Sequence, residues 1–299
     1  MQSWLVEACA RLILATRWID KSYRAIDRFR SALVLALASD AVLARFNCLA
    51  YGQDEAYQPG SSAFRGYVFP WEEKVVATFF PPPPARLLIG GAGGGREVLA
   101  LAGRGYEVVA FEPSAALAAA MAGRAANGLN VRVYRASYED LPRLFSARPE
   151  EPCGSLEAEA DFDAAILGWG SYSHLRTEEQ RMRALSSFAR HVRGPILVSF
   201  YQFAAHDVVS KGTRTERIRE LLKIGSGDRF SVYIGFSHDV SAPELATIAK
   251  RSGLSIVHLS EDIKDTNWPH AVLCPIDLAD QIRASAAAAP ARAVSATGV

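Results

Sequence analysis

Leu87-Leu88-Ile89-Gly90-Gly91-Ala92-Gly93-Gly94-Gly95-Arg96-Glu97-Val98-Leu99-Ala100-Leu101 is an apolar run, a glycine knot and then apolar residues at helical spacing. It reads as strand, tight turn and helix start. Glycine is needed in such a turn because the backbone enters φ > 0, and because a bare backbone lets a ligand approach the amides. Downstream, Glu107-Val108-Val109-Ala110-Phe111 reads as a second strand with Glu112 at its tip. A carboxylate there is placed to accept hydrogen bonds from both hydroxyls of a ribose. Knot and acid together describe a nucleoside-binding edge.

The spacing of the glycines separates two ways of using that edge. G-x-G-x-x-G fails from Gly91, where Arg96 holds the third glycine position, and from Gly90, where Ala92 interrupts it. G-x-G-x-G is met by Gly91, Gly93 and Gly95. In this register the segment resembles the first motif of the class I S-adenosylmethionine (SAM)-dependent methyltransferases, and the resemblance extends over roughly 66–275. It implies an α/β fold: a doubly wound, mostly parallel seven-stranded sheet with helices on both faces, plus an N-terminal helical extension. The implied cofactor is SAM. Gly91, Ala92, Gly93 and Gly95 would form its loop, and Glu112 and Pro113 its ribose site. Ser137 and Tyr138 would hold the adenine edge, while Gly168, Trp169 and Gly170 would face the sulfonium end.

Two positions depart from the family pattern. Ser137 stands where the family usually has Asp, and Ile89 occupies the first-strand position where many members carry an acid near the methionine amino group. The apolar residue gives the strand a likeness to the polyamine synthases. Those enzymes need a second acid after strand four, where this chain has Trp169-Gly170-Ser171-Tyr172, so methyl transfer ranks above aminopropyl transfer. A SAM-binding subunit without catalysis and a nicotinamide-dependent oxidoreductase are the remaining alternatives.

Methyl transfer from a sulfonium needs positioning more than covalent help, and a general base only when the acceptor is a hydroxyl or a protonated amine. His174, just after strand four, suits that role near neutral pH. Tyr201 and His206 follow strand five at the same edge, and either could orient an acceptor. Trp169 could stack on adenine or acceptor. Asp163 starts its strand, away from the ligand edge, and reads as structural. His191, His238, His258 and His270 form no cluster with carboxylates at ligand spacing, so no metal site is expected.

Net charge is +1, and about half of the residues are hydrophobic. That balance suits a globular α/β domain with an accessory element and offers no basic excess for nucleic acid. The four cysteines, Cys9, Cys48, Cys153 and Cys274, are scattered without zinc or redox spacing, which fits reduced thiols in the cytoplasm. No apolar run reaches membrane-spanning length, so neither signal peptide nor anchor is expected. The partner expected is a small-molecule acceptor, with neither nucleic acid nor membrane, and with a homodimer through the N-terminal helices as an option.

Three regions follow: a helical lid over 1–65, the SAM-binding domain over 66–280 and a disordered tail over 281–299. Apolar positions at helical spacing, such as Leu5, Cys9, Leu12, Ile13, Ile26, Phe29, Leu33 and Leu37, predict two or three helices packed on the sheet domain or on a second subunit. Tyr51 to Phe69, with Tyr57, Phe64 and Tyr67, is an aromatic connector suited to a pocket mouth. Trp71 to Phe80 is a helix stopped by Pro81 to Pro84. Ser114 and Thr177 are N-caps, Arg148 to Asp161 is a surface insertion, and Thr213 to Phe236 is an insertion in which acceptor specificity is built.

Overall fold

Four runs along the chain are apolar on both strand faces, and such strands are stable only inside a sheet covered on both sides. A computed structural model, which describes residues 2–53, 61, 65–126, 128–146, 161–202, 214–222, 224–261 and 268–288, places them there. The order is α1 (Gln2–Leu37), α2 (Asp40–Gln53), α3 (Pro70–Phe79), β1 (Arg86–Gly90), α4 (Arg96–Ala102), β2 (Glu107–Phe111), α5 (Ala115–Ala125), β3 (Val131–Tyr134) and α6 (Leu141–Ser146). Then come β4 (Ala164–Leu167), α7 (Glu178–His191), β5 (Ile196–Ser199), α8 (Arg214–Leu221), β6 (Asp228–Ser231), β7 (Gly235–His238), α9 (Ala242–Arg251), β8 (Leu254–Ser260), β9 (His270–Pro275) and α10 (Ala279–Ala288).

Seven strands form one sheet in the order β3-β2-β1-β4-β5-β9-β8. Pairing is parallel from β3 through β5, and β9 runs antiparallel between β5 and β8. Helices α3, α4 and α5 bury Val76, Leu101 and Met121 on one face, while α6, α7 and α9 bury Leu144, Phe188 and Ile248 on the other. The chain leaves β1 for β2 on one side and returns to β4 on the other. This reversal opens a crevice at the carboxyl ends of β1 and β4, where open α/β sheets bind ligands.

The local signals divide by cause. Thr177 caps α7 as expected, its hydroxyl accepting the Gln180 amide at 3.1 Å. Ser114 occupies the N-cap position of α5 but makes no side-chain cap bond; its amide is drawn to Glu112 instead. Asp163 accepts the Arg86 amide at 2.7 Å and ties β4 to β1. Of the stretch expected to be a disordered tail, 281–288 belongs to α10, which runs to Ala288, and 289–299 lies outside the described residues. The insertion expected over 148–161 lies, except for Asp161, outside the described residues.

Of the two placements expected for the N-terminal stripe, packing on the sheet domain is not the one found. Ile26, Phe29, Leu33 and Leu37 point to solvent, and the core-facing residues of α1 and α2 are Leu35 and Leu43. These two pack with Ile224, Phe230 and Phe236 against the β6–β7 hairpin in a small separate core. The described part of the Thr213–Phe236 insertion holds α8 and most of the β6–β7 hairpin, and it is the hairpin, with Ile224, that carries the N-terminal helices.

His238 locks this hairpin to α9, with Asp228 at 2.8 Å on one ring nitrogen and Glu244 at 3.1 Å on the other. The sequence concealed this carboxylate pairing. The two acids flank the ring rather than converge, and among the described residues no group could hold a metal ion. Burial alone would lower the His238 pKa, but the hydrogen bonds to Asp228 and Glu244 outweigh it and raise the value, with Arg181 opposing. A raised folded-state pKa stabilises fully below the unfolded value of about 6.5, and that stabilisation fades as pH rises through the folded value. Thermal melts should therefore show the gap between wild type and His238→Gln widest near pH 6 and narrowing toward about pH 8.5.

Candidate active site

The glycine knot turns the chain out of β1 with Gly91, Gly93 and Gly95 all in the left-handed region, at φ 62°, 53° and 83°. Two of them also leave necessary room. A Cβ on Gly91 would stand 2.5 Å from Ser171 Cβ, and one on Gly95 would stand 2.6 Å from Met121 Cγ. The turn delivers the Gly93 amide to Glu112 Oε2 at 2.9 Å, while the Ser114 amide reaches Oε1 at 2.9 Å. Burial pushes the Glu112 pKa up and these two amides pull it back. Each oxygen keeps lone-pair capacity toward the crevice.

A cavity of about 490 Å³ opens over this acid. Its floor and walls include Gly91, Gly93, Glu112, Pro113, Ser137, Tyr138, Trp169, Ser171 and His174, and its roof is α2 through Leu43, Asn47 and Tyr51. A helix before the first strand does therefore cover the crevice. Ala92, Gly95, Gly168, Gly170 and Tyr201 do not border it. Gly95 and Gly170 instead admit the Met121 and Tyr201 side chains. Ser137 spends both its amide and its hydroxyl hydrogen on Asp140, each at 2.8 Å. The Tyr138 hydroxyl donates to Gly90 O at 3.0 Å and meets Ser171 Oγ at 2.6 Å, so it braces the wall.

The end of the crevice beyond β4 holds a fixed histidine. His174 Nδ1 lies 2.6 Å from Phe236 O, a contact that requires the proton on Nδ1. Nε2 is then an acceptor, and the Tyr51 hydroxyl lies 2.7 Å from it. The Tyr201 hydroxyl is 3.5 Å from that of Tyr51. Burial lowers the His174 pKa against the pull of Phe236 O, which keeps the imidazole neutral. Asn47 is the residue that sequence reasoning missed, and Tyr51, read there as the start of a pocket-mouth connector, belongs to α2 and meets His174; nothing in their spacing tells that α2 folds over a loop more than a hundred residues away. His206, Tyr57 and Phe64 lie outside the described residues.

No protein-family model and no curated protein matches the sequence. Solved structures do. The CcbJ methyltransferase from Streptomyces caelestis superposes with a TM-score of 0.51 at 15% identity, over 76% of this chain and 98% of that one. A TehB-like SAM-dependent methyltransferase from Corynebacterium glutamicum gives a TM-score of 0.46 at 16% identity, over 78% and 98% of the two chains. The chain has the class I SAM-dependent methyltransferase fold.

Within the methyltransferase fold, the first-strand acid is replaced by Ile89, which is fully buried. Behind the glycine loop lies a buried ionic trio instead. Arg96 binds Glu72 through two contacts of 2.6 and 2.7 Å and stands 3.6 Å from Glu97. Two carboxylates against one guanidinium leave a surplus of negative charge, and burial, with Arg96 opposing and Glu72 reinforcing, pushes the Glu97 pKa up to about 7. A Cβ at Gly168 would stand 3.1 Å from Glu97 Oε1 and 2.5 Å from Gly91 O. Tyr67 and Phe69, expected at the pocket mouth, stack on Arg96 at 5.1 and 4.0 Å.

Asn47 is the staple of the roof. Its Oδ1 accepts the Phe236 amide at 2.8 Å and its Nδ2 donates to Phe236 O at 3.0 Å. Asn47→Leu leaves a buried amide without its acceptor, and urea denaturation should show a loss of about 1–3 kcal/mol.

Proposed function

We propose that this protein transfers a methyl group from SAM to a small-molecule acceptor. The carrying observation is the Glu112 carboxylate, held by the Gly93 and Ser114 amides at the floor of a roofed cavity. This donor set fits the nucleoside half of SAM. A buried acid with both oxygens already oriented loses little freedom on accepting two ribose hydroxyls, and Gly91 and Gly93 leave backbone open beside it. A cavity closed above by α2 favours a compact acceptor over a macromolecular one.

When bound, SAM supplies a methyl group on an already activated leaving group, so the residues here serve to orient the acceptor and exclude water. For a hydroxyl or ammonium acceptor a proton must leave. The Tyr51 hydroxyl is placed to receive it, its oxygen taking the acceptor proton as its own proton passes to His174 Nε2. Phe236 O holds the other ring nitrogen and fixes the direction of transfer. Sequence pattern points to His174 as the base itself, whereas the geometry supports a relay in which Tyr51 stands nearer the acceptor.

Calorimetric titration should show tight binding of SAM and of its demethylated product, with NAD much weaker. Glu112→Ala should cost about 1.5–3 kcal/mol of that binding, as expected for hydrogen bonds to a charged group. Unchanged affinity, or preferential binding of NAD, refutes the assignment. Tyr51→Phe and His174→Gln should each lower turnover by about 10²–10⁴-fold at unchanged SAM affinity. Equal turnover in all three proteins would leave the pair a structural one.

A further inference from the structure

Helix α1 is continuous over 36 residues, about 54 Å. Its attachment to the body is concentrated at the C-terminal end, where Leu35 is buried, Ser31 Oγ accepts the Phe230 amide and Leu35 O accepts from Arg176. The opposite side of the helix carries an apolar face that faces solvent. Leu12, Ile19 and Ile26 on it are 65%, 60% and 67% exposed.

That face has a strict seven-residue repeat. Leu5, Leu12, Ile19, Ile26 and Leu33 recur every seven positions, and Ala8, Ala15, Ser22, Phe29 and Ala36 follow each by three. A repeat averaging 3.5 residues, rather than the 3.6 of a helix lying on a core, is the seam of a coiled coil. We propose that α1 pairs with α1 of a second copy of this chain in an antiparallel coiled coil whose two-fold axis passes between Ile19 and Ser22.

The side-chain volumes select this orientation. With the axis there, Leu33 lies level with Ala8 of the other copy, Ile26 with Ala15, and Ile19 with Ser22. Three of the four layers between Ala8 and Leu33 set a large residue against a small one, which fills the seam at native density; only Leu12 meets a large partner, Phe29. Parallel pairing would stack Leu or Ile on its own kind, and Ala on Ala, leaving alternate crowding and voids.

Charge and area agree with a second copy as the occupant. Arg17, Lys21, Arg24 and Arg28 project from the side away from the seam, so the like charge of two copies is kept apart. Arg11 and Arg30, which flank the seam, are paired with Glu7 and Asp27 of their own helix. Trp4, Trp18, Tyr23 and Phe29 border or join it at 60–72% exposure and offer on the order of 100 Å² each. With the aliphatic seam the face reaches about the 800 Å² per partner of a standard interface, more than a monomer ordinarily leaves apolar.

Sedimentation equilibrium on the full chain should give a dimer. Ile19→Asp with Ile26→Asp should give a monomer of unchanged helicity by circular dichroism, whereas Arg17→Glu, on the outer side, should remain dimeric. Orientation is read by pulsed electron paramagnetic resonance on spin-labelled Cys9, with the other cysteines replaced by serine. Antiparallel pairing separates the two labels by about 35 Å along the helix, and parallel pairing brings them level. A monomeric wild type, a dimer that survives the double substitution, labels side by side, or a monomer that adsorbs to phosphatidylserine vesicles through this face would each overturn the proposal.

Discussion

The Gly93 amide donating to Glu112 is the contact on which the rest of the site depends. It joins the loop after β1 to the tip of β2, beside the β1–β4 point where the sheet order reverses. It exists because three glycines hold φ values that a side chain would strain. A buried carboxylate without such donors would protonate or draw in water; with two amides it remains an oriented acceptor. The same loop leaves room for Ser171 from beyond β4, so the β1 and β4 edges of the crevice meet there without an intervening side chain.

Behind and above that contact, the fold uses two different kinds of polar lock. The Arg96–Glu72–Glu97 trio lies behind the loop and joins α3 to α4, roofed by Tyr67 and Phe69. Buried ion pairs add little net stability, because desolvation opposes the attraction, yet removing one partner is costly. Their effect is to hold α4 in a single register. The roof is locked by neutral groups instead: Asn47, Phe236, His174 and Tyr51 form one connected set of hydrogen bonds. A neutral network can open with less penalty than a charged one, which suits a helix that must admit and release ligands.

How much of this was legible beforehand depends on range. The strands, the glycine turn, the acid at the tip of β2 and the α7 cap are local or pattern-borne, and each follows from a few adjacent residues. Tyr51 against His174, Asn47 against Phe236 and the His238 bridge join residues that no spacing rule relates. Ser114 takes the N-cap position that its type predicts, yet its amide serves Glu112, and the Ser137 hydroxyl hydrogen is directed to Asp140; neither partner is visible from residue type alone.

The N-terminal stripe marks the boundary between the two kinds of knowledge. Apolar spacing alone determined that 2–37 is helical, as it determined that β1, β2, β4 and β5 are buried strands, because side-chain period follows from backbone geometry. Whether an apolar face turns inward or outward is a matter of what lies beside it. Only the tertiary structure decided that α1 turns its stripe away from the body of its own chain while α2 roofs the crevice, since burial is set by contacts between distant segments and not by the period of either.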